Sequence, residues 1–382
     1  MYKTLFKPAL FITLANYIGG ALLFIANMLL ANQFGPEDFG TFKVVIALFS
    51  FLPSLVDLGA GATLVRYISH YRDQRVYPLI LKFVRLMFWV YSGLTLGMFF
   101  IRGPIAGFFL KDFNQAGLIA AGILLFALSY LELFKQIAIG FQKFKIYAFS
   151  QMLTFAVMGL ASYFLGRQFG IFWAIIGWAS GYLLGNIVCL LFFFKKNIRE
   201  SGEDALEFKS VFLSYSIPMY LMVIPGLIGL VAIPVLSVFF NQKLIGYLSF
   251  AMIFYQAAIS IPTAFSTVLF PKFSGLSNQG QELKQLVKKS ILLYTPIAIF
   301  GSICCLLLSF GIISSFFPAY RDSILIFNFL VIYAFISGYL LIGRAYFSGT
   351  SRLKQLAILT FCQNIGLLIT AAAAVYLVFR GS

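Results

Sequence analysis

Long apolar segments alternate with short polar ones along all 382 residues of the chain. Each apolar segment holds about 20 residues or more, which is enough for an α-helix to cross a hydrocarbon core of roughly 30 Å. We therefore predict an all-α polytopic membrane protein with about eleven transmembrane helices. The predicted spans are 8–32, 39–58, 77–101, 116–137, 146–166, 170–194, 210–239, 244–269, 290–315, 322–347 and 355–379.

Two spans have features of their own. The span at 210–239 is long and contains Pro218, Pro225 and Pro234. Because proline frees backbone carbonyls inside a helix, we predict that this span is kinked or broken. The first span is too long for the core of a cleavable signal peptide, and no small-residue cleavage site follows it, so we expect it to be retained as a helix.

The cations are distributed unequally between the two sides of the predicted spans. With the N-terminus placed in the cytoplasm, 21 of the 28 lysines and arginines fall on the inner side and seven on the outer side. The first outer turn carries the acidic pair Glu37 and Asp38. Since cytoplasmic loops are enriched in cations, this bias predicts a multi-pass protein of the cytoplasmic (inner) membrane with a cytoplasmic N-terminus.

Composition excludes several other classes of protein. Charged residues make up 10% of the chain and hydrophobic residues 61%, and the mean hydropathy is +0.94. A soluble chain carries about 25% charged residues, and the deficit here leaves no room for a separate soluble domain. The net charge of +16 does not indicate nucleic-acid binding, because the cations sit in short segments between apolar spans. The four cysteines lack metal-ligand spacing, so no metal or cofactor is expected.

The longest polar segment, 195–209, lies near the middle of the chain. It predicts an N-terminal lobe of six transmembrane helices at 1–197, a cytoplasmic loop at 198–209 and a C-terminal lobe of about five helices at 210–382. The two lobes would form a pseudo-repeat.

Weak internal similarity supports two lobes. Gly40 and Arg66 are 26 residues apart, and so are Gly246 and Lys272; each pair brackets a predicted span. Transporters built from repeats usually place the substrate site between them. The alternative is chance similarity between apolar helices.

Three segments carry loose motifs of spaced glycines, prolines and aromatic residues: ANQFGPEDFGTFKVVIALFSFLPSLVDLGAGATLVRYISHY, IGYLSFAMIFYQAAISIPTAFSTVLFPKFSGL and FFPAYRDSILIFNFL. They resemble the first helical hairpin, the eighth helix with its following loop, and the ninth-to-tenth connection of the polysaccharide transport (O-antigen flippase) family. That family belongs to the multidrug/oligosaccharidyl-lipid/polysaccharide exporter superfamily. The resemblance covers most of the chain.

The resemblance implies two lobes of six helices around a central cavity that opens alternately to the two sides of the membrane. It implies a non-enzymatic flippase for a lipid-linked oligosaccharide, carried on a polyprenyl diphosphate, in polysaccharide biosynthesis such as that of O-antigen, lipopolysaccharide or capsule. Membrane lipids, and glycosyltransferases or a polymerase of the same pathway, are the partners it implies. The chain departs from the family pattern in that only eleven spans are predicted, so either the protein is naturally short of a twelfth helix or the sequence is truncated. With eleven spans the C-terminus would lie outside.

Several side chains are candidates for binding the sugar or the phosphate. Asn16 and Asn27 share one face of the first span, where they would bond sugar hydroxyls or hold helices together. Lys43 and Arg85 lie within predicted spans, where charge is costly, so they would bind phosphate or else extend toward the headgroups.

The cations matched by the internal similarity, Arg66 and Lys272, would meet the substrate diphosphate at the inner mouth, or only mark the cytoplasmic side. Amide side chains within the spans are further candidates for lining a cavity, with Gln256 placed among the binding residues. These amides are Gln151, Gln256, Asn328, Gln363 and Asn364.

Three charged residues near the cytoplasmic helix ends are candidates for energy coupling or lobe contacts: Asp57, Glu132 and Lys135. Either acid would carry a proton in a coupled cycle. Their alternative role is structural, since Glu132 and Lys135 are three residues apart and can pair on one helix.

Two other functions compete with flipping. One is a cation-coupled multidrug exporter of the same superfamily, although the first span holds no acid. The other is a membrane glycosyltransferase or polymerase. The predicted outer loops are short, and neither paired carboxylates nor a nucleophile motif is present, so the chain is not expected to be an enzyme. A scaffold without transport is a remaining alternative.

Overall fold

A computed structural model describes residues 2–71, 76–105, 107, 115–195, 207–275, 280–350 and 352–381. Within these ranges the chain is almost entirely helical and contains no strand, as the apolar pattern predicts. The helices are α1 Tyr2–Val56, α2 Ala60–Tyr71, α3 Val76–Phe100, α4 Arg102–Ile105, α5 Gln115–Gly140, α6 Phe144–Phe169, α7 Ile171–Lys195, α8 Phe208–Val211, α9 Ile217–Leu227, α10 Ala232–Phe239, α11 Gln242–Gly275, α12 Gly280–Phe316, α13 Ser323–Gly349 and α14 Leu353–Gly381.

The first two predicted spans form one continuous helix, α1, with a single kink. Gly35 has a φ of 72°, outside the helical region, and glycine adopts this conformation without steric cost. The apolar part of α1, Tyr17–Val56, holds 40 residues, or about 60 Å of helix, which is twice the thickness of a hydrocarbon core. A kink at Gly35 therefore divides α1 into two lengths that each suit one crossing.

Within the described ranges, nine helices are long and apolar enough to cross a membrane. A tenth span is the bent pair Phe208–Leu221 and Ile224–Phe239, whose parts meet at 42°. This bend confirms the break predicted from the prolines. A π-helical turn at Phe212–Ser216 and a 3₁₀ turn at Ile228–Val231 interrupt the same segment. Counting α1 as two spans gives the eleven predicted from sequence.

Two short helices, α2 and α4, were not predicted as elements. The 12 residues of α2 follow α1 after a short break, with Leu64 and Ile68 buried and Arg66 and His70 exposed. This helix is too short to cross a bilayer, so a search for long apolar segments passes over it.

The helices form two compact units. One comprises Met1–Gln33 and Val45–Met222, and the other comprises Phe34–Val44 and Val223–Ser382. In the first unit, α6 and α7 pack closely through Gly177, Gly181 and Gly185, which recur every four residues. Side chains added at Gly177 and Gly181 would overlap the backbone of α6. This spacing of small residues is typical of close helix packing in membranes.

In the second unit, α13 packs against α11 and α12. The Tyr294 hydroxyl on α12 donates a 2.7 Å hydrogen bond to the Phe335 carbonyl on α13. In the same unit, the rings of Phe250 and Tyr320 stack with centroids 4.3 Å apart. Contacts of this kind between side chains fix how the helices pack against one another. That packing positions the polar side chains described next.

Candidate functional site

Among the described residues of the first unit, the most buried charge is Lys135 on α5, whose exposed fraction is 4%. Its Nζ donates a 2.7 Å hydrogen bond to Oε1 of Gln151 on α6 and forms an ion pair with Glu132, one turn earlier on α5. A buried ammonium group is costly unless it is paired and hydrogen-bonded. Glu132 and Gln151 supply those partners, which confirms that the two charged residues meet on one helix.

Asp57 occupies the break between α1 and α2. Its carboxylate accepts hydrogen bonds from the backbone N–H groups of Gly59 and Gly61 and from the buried hydroxyl of Tyr91 on α3. The bonds to the backbone satisfy donors at the start of α2, as a helix cap does. Asp57 therefore has a structural task in forming the turn into α2.

Asp57 and Glu132 belong to one polar cluster. Glu132 interacts electrostatically with Asp57 and with the tyrosines of α3 and α7, Tyr91 and Tyr182. Two carboxylates, one ammonium group and two phenol hydroxyls thus form one polar cluster in the first unit, in which the Glu132 side chain is half exposed. Proton coupling through this cluster stays a prediction.

The two cations matched in sequence, Arg66 and Lys272, are both exposed. Arg66 projects from α2, with its guanidinium carbon 4.2 Å from the centroid of the Tyr215 ring. Tyr215 lies in the π-helical turn of the first unit. Lys272 lies in the last turn of α11 in the second unit. Their exposure leaves both side chains accessible, and binding of a diphosphate by them stays a prediction.

Lys43 lies in the second unit and is partly buried among aromatic rings. Its Nζ is 5.3 Å from the centroid of Phe39 and 5.9 Å from that of Phe42. These distances are within the range of cation–π attraction, which offsets part of the cost of placing the ammonium group in lipid. The surroundings therefore support a structural role beside the predicted phosphate contact.

Arg85 lies on the exposed face of α3 beside Leu81, Phe88 and Trp89, which are also exposed. An exposed stripe of large apolar side chains on a transmembrane helix suits contact with lipid tails. These neighbours favour the alternative in which the arginine extends toward the headgroups. Phosphate binding by Arg85 stays a prediction.

The three amides predicted as binding residues, Asn16, Asn27 and Gln256, differ in their surroundings. Asn27 is buried, and its Nδ2 donates a 2.8 Å hydrogen bond to the Leu23 carbonyl. Gln256 is exposed on α11. The side chain of Asn16 lies outside the described residues. Burial of Asn27 within α1 favours helix packing over contact with sugar.

A partly buried cation in the second unit, Arg344, was not predicted from the sequence as a site residue. Nη1 of Arg344 on α13 donates a 2.8 Å hydrogen bond to Oε1 of Gln363 on α14, and the Tyr333 hydroxyl donates to the Gln363 carbonyl. In the sequence, Arg344 is one of the 21 cations on the predicted inner side. One pattern could have identified it: Arg344 lies five residues before the end of α13, and Lys135 lies five residues before the end of α5.

Within the ranges that the structure describes, no group of three or more His, Cys, Asp or Glu side chains could hold a metal ion. The polar clusters consist of cations, amides, hydroxyls and a few carboxylates. This set of groups suits hydrogen bonding to sugars and phosphates.

The family model described as "Polysaccharide biosynthesis protein" matches residues 5–277. No curated protein matches the chain by sequence. Among solved structures, an inward-facing multidrug resistance MATE family transporter of the MOP superfamily superposes with a TM-score of 0.73 at 14% identity, covering 94% of this chain and 93% of its own.

Two other solved structures show the same fold. Lipid II flippase MurJ, in an inward closed conformation, has a TM-score of 0.69 at 17% identity and covers 98% of this chain and 87% of its own. A MOP superfamily transporter from Pyrococcus furiosus has a TM-score of 0.59 at 12% identity, with 98% and 94% covered. At these identities the likeness establishes the fold, which is the all-helical fold with many membrane spans expected from the sequence.

Proposed function

Because the chain belongs to the polysaccharide biosynthesis protein family, we propose that it translocates a lipid-linked oligosaccharide across the cytoplasmic membrane by alternating access. The family match over residues 5–277 carries this proposal. The fold shared with MOP superfamily transporters, one of which is named a lipid II flippase, supports it.

The physical problem is the polar head of the substrate. Each sugar hydroxyl taken into hydrocarbon without a hydrogen bond costs roughly 2–7 kcal/mol, and an anionic diphosphate costs far more. The lipid tail can stay in the bilayer throughout. A protein that offers hydrogen-bonding groups and cations at membrane depth lowers this barrier without breaking any bond.

Both units contain such groups on membrane-spanning helices. The first holds Lys135 with Gln151, and the second holds Arg344 with Gln363. In this proposal the polar groups of each unit contact the sugar head during transport. The exposed cations Arg66 and Lys272, one in each unit, bind the diphosphate on the cytoplasmic side.

The proposal places the protein in the inner membrane beside the enzymes that make and extend its substrate. A lipid-linked oligosaccharide is assembled by glycosyltransferases and consumed by a polymerase or ligase. In this proposal the chain itself breaks and forms no covalent bond, in keeping with the fold that it shares with transporters.

A second candidate function is cation-coupled export of drugs. The observation that favours it is the carboxylate cluster in the first unit, where Asp57 and Glu132 interact across Tyr91. Growth of cells expressing the protein in the presence of cationic dyes tests this candidate. Resistance that disappears in Glu132→Gln would favour drug export over glycolipid flipping.

Flipping is tested in vesicles that contain the purified protein and a fluorescent polyprenyl diphosphate oligosaccharide in one leaflet. We expect the labelled sugar to reach the opposite leaflet faster than in protein-free vesicles. A phosphatidylglycerol carrying the same dye controls for general lipid scrambling. Equal rates with and without correctly folded protein, judged by circular dichroism, would overturn the proposal.

The vesicle assay also tests the predicted cytoplasmic mouth. Arg66→Gln removes a cation that can form charge-assisted hydrogen bonds with phosphate, so we expect flipping to fall by about tenfold. Arg167→Gln is the matched control, because Arg167 is an exposed arginine on the opposite predicted side and should leave the rate unchanged. Similar rates in both variants would remove Arg66 from the path.

A further inference from the structure

Two helical hairpins in different units repeat each other in register. The hairpin α5–α6 ends its first helix at Gly140 and starts its second at Phe144, and the hairpin α13–α14 does the same 209 residues later, at Gly349 and Leu353. Three backbone hydrogen bonds of the turns also match. In the first hairpin they run from the N–H groups of 141, 143 and 147 to the carbonyls of 137, 138 and 143; in the second, from 350, 352 and 356 to 346, 347 and 352.

The same interval relates the cations of the two hairpins. Lys135, Lys143 and Lys145 correspond to Arg344, Arg352 and Lys354. Tyrosines correspond as well: Tyr130 packs edge-on against Tyr91 of α3, and Tyr339 packs edge-on against Tyr294 of α12. Matching turns, cations and ring pairs indicate one structural repeat rather than chance.

In each hairpin the cation on the first helix bonds a glutamine on the second helix, although the two glutamines are not at matched positions, since Gln151 corresponds to Thr360. Lys135 donates to Gln151 at 2.7 Å, and Arg344 donates to Gln363 at 2.8 Å. The glutamine holds the charge at a defined place. Gln363 is ten residues into α14, about 15 Å from the start of that helix, whereas Arg344 is five residues, about 7.5 Å, from the end of α13. The hydrogen bond therefore draws the guanidinium inward, away from the headgroups.

The residue three positions before the cation differs between the two hairpins. Lys135 has the acid Glu132 three residues before it, and the corresponding position before Arg344 is Leu341, which is buried. In the part of the chain that the structure describes, no carboxylate lies within 4 Å of Arg344. The first cation is thus neutralised within its own unit, and the second retains a full positive charge beside a neutral amide.

We propose that Arg344 and Gln363 bind the phosphate or diphosphate group of the lipid-linked substrate; this assignment rests on the flippase function proposed above. A positive charge at this depth is costly unless an anion offsets it. Arginine presents a planar fork of donors that suits phosphate oxygens, and one fork position is already aligned by Gln363. Arg344 is only partly buried, so the rest of the guanidinium can reach a ligand.

The assignment is tested by binding, independently of flipping. The probe is farnesyl diphosphate added to purified protein in neutral detergent, with affinity measured by titration calorimetry. Arg344→Gln should weaken binding by about tenfold or more, and Arg344→Lys should weaken it less. Arg352→Gln removes one exposed positive charge from the same end of the hairpin and should leave binding unchanged.

A second test keeps the arginine and adds to the second hairpin the acid that the first hairpin has. Leu341→Glu introduces the acid that Lys135 already has, so Arg344 should pair internally and farnesyl diphosphate should lose at least about tenfold in affinity. Leu341→Gln controls for polarity at this buried position and should bind normally. Thermal unfolding confirms that each variant is folded.

The ligand source is decided by parallel titrations with phosphatidylglycerol and inorganic diphosphate. Stronger binding of farnesyl diphosphate than of either supports the assignment. Equal binding of phosphatidylglycerol, with the same loss in Arg344→Gln, would make this a headgroup site and overturn it, as would unchanged farnesyl diphosphate binding in that variant. If the wild type binds the probe through Arg344 but does not flip glycolipid, the flippase proposal fails and the anion site stands.

Discussion

At the scale of single residues, the protein keeps buried charge by surrounding it with fixed partners. Lys135 is almost fully buried, and its ammonium group contacts the Glu132 carboxylate and the Gln151 amide. Removing one partner of a buried ion leaves the other group poorly solvated, which costs more than the pair itself contributes.

The Lys135 cluster predicts a specific pattern of stabilities. Glu132→Gln leaves the buried ammonium group without its counter-ion and should lower the free energy of unfolding by about 1–3 kcal/mol, a moderate value because Glu132 is half exposed. The double change Glu132→Gln with Lys135→Met removes both charges and should recover most of that loss. Thermal unfolding in detergent, followed by tryptophan fluorescence, measures both. A double variant no more stable than the single one would contradict this account.

At the scale of elements, glycines set how closely helices approach. Within the second unit, the segment that follows the α1 kink lies against the start of α11, where Gly40 and Gly246 face backbone rather than side chains. A methyl group on Gly246 would overlap the Pro36 carbonyl oxygen. Backbone groups cannot move aside as flexible side chains do, so the glycine is required there.

This contact predicts that Gly246→Ala is destabilising. The added methyl group must push α11 away from the α1 segment, so we expect a loss of about 1–3 kcal/mol and a lower thermal midpoint. Gly311→Ala is the control, because Gly311 on α12 has no heavy atom within 4 Å of the added carbon and should change stability by less than about 1 kcal/mol. Equal effects of the two changes would show that the close approach does not matter.

At the scale of the whole molecule, most cations lie in every second segment between the predicted spans. Lys143 lies in the turn between α5 and α6 and Lys145 in the first turn of α6; the matched residues are Arg352, in the turn between α13 and α14, and Lys354, in the first turn of α14. Cations concentrate on one predicted side, and this bias sets the orientation of membrane proteins during insertion.

The predicted orientation is tested by cysteine labelling in a variant without the four native cysteines. Lys243→Cys lies in a predicted outer turn, so it should react with a membrane-impermeant maleimide in intact cells. Lys143→Cys lies in a predicted inner turn and should react only after permeabilisation. Both side chains are exposed, so access by the reagent depends on the side of the membrane. The reverse pattern would invert the topology.

The candidate site was only partly accessible to sequence reasoning. The pairing of Glu132 with Lys135 follows from their spacing on one helix, and the break in 210–239 follows from its prolines. The partner of Lys135, Gln151, lies on another helix, and so does Gln363, the partner of Arg344. Which amide faces which cation depends on helix rotation and packing, which apolar periodicity alone does not define.

The sequence by itself determined that the chain is a helical membrane protein, where its spans lie and which side is predicted to face the cytoplasm. These properties follow from the cost of placing polar backbone and charge in lipid, which depends on local composition. Only the tertiary structure decided that α1 is one kinked helix, that Asp57 caps α2, and that Lys135 is neutralised while its counterpart Arg344 is not. Those outcomes depend on contacts between residues far apart in the chain, where the position of one side chain is set by the packing of several helices.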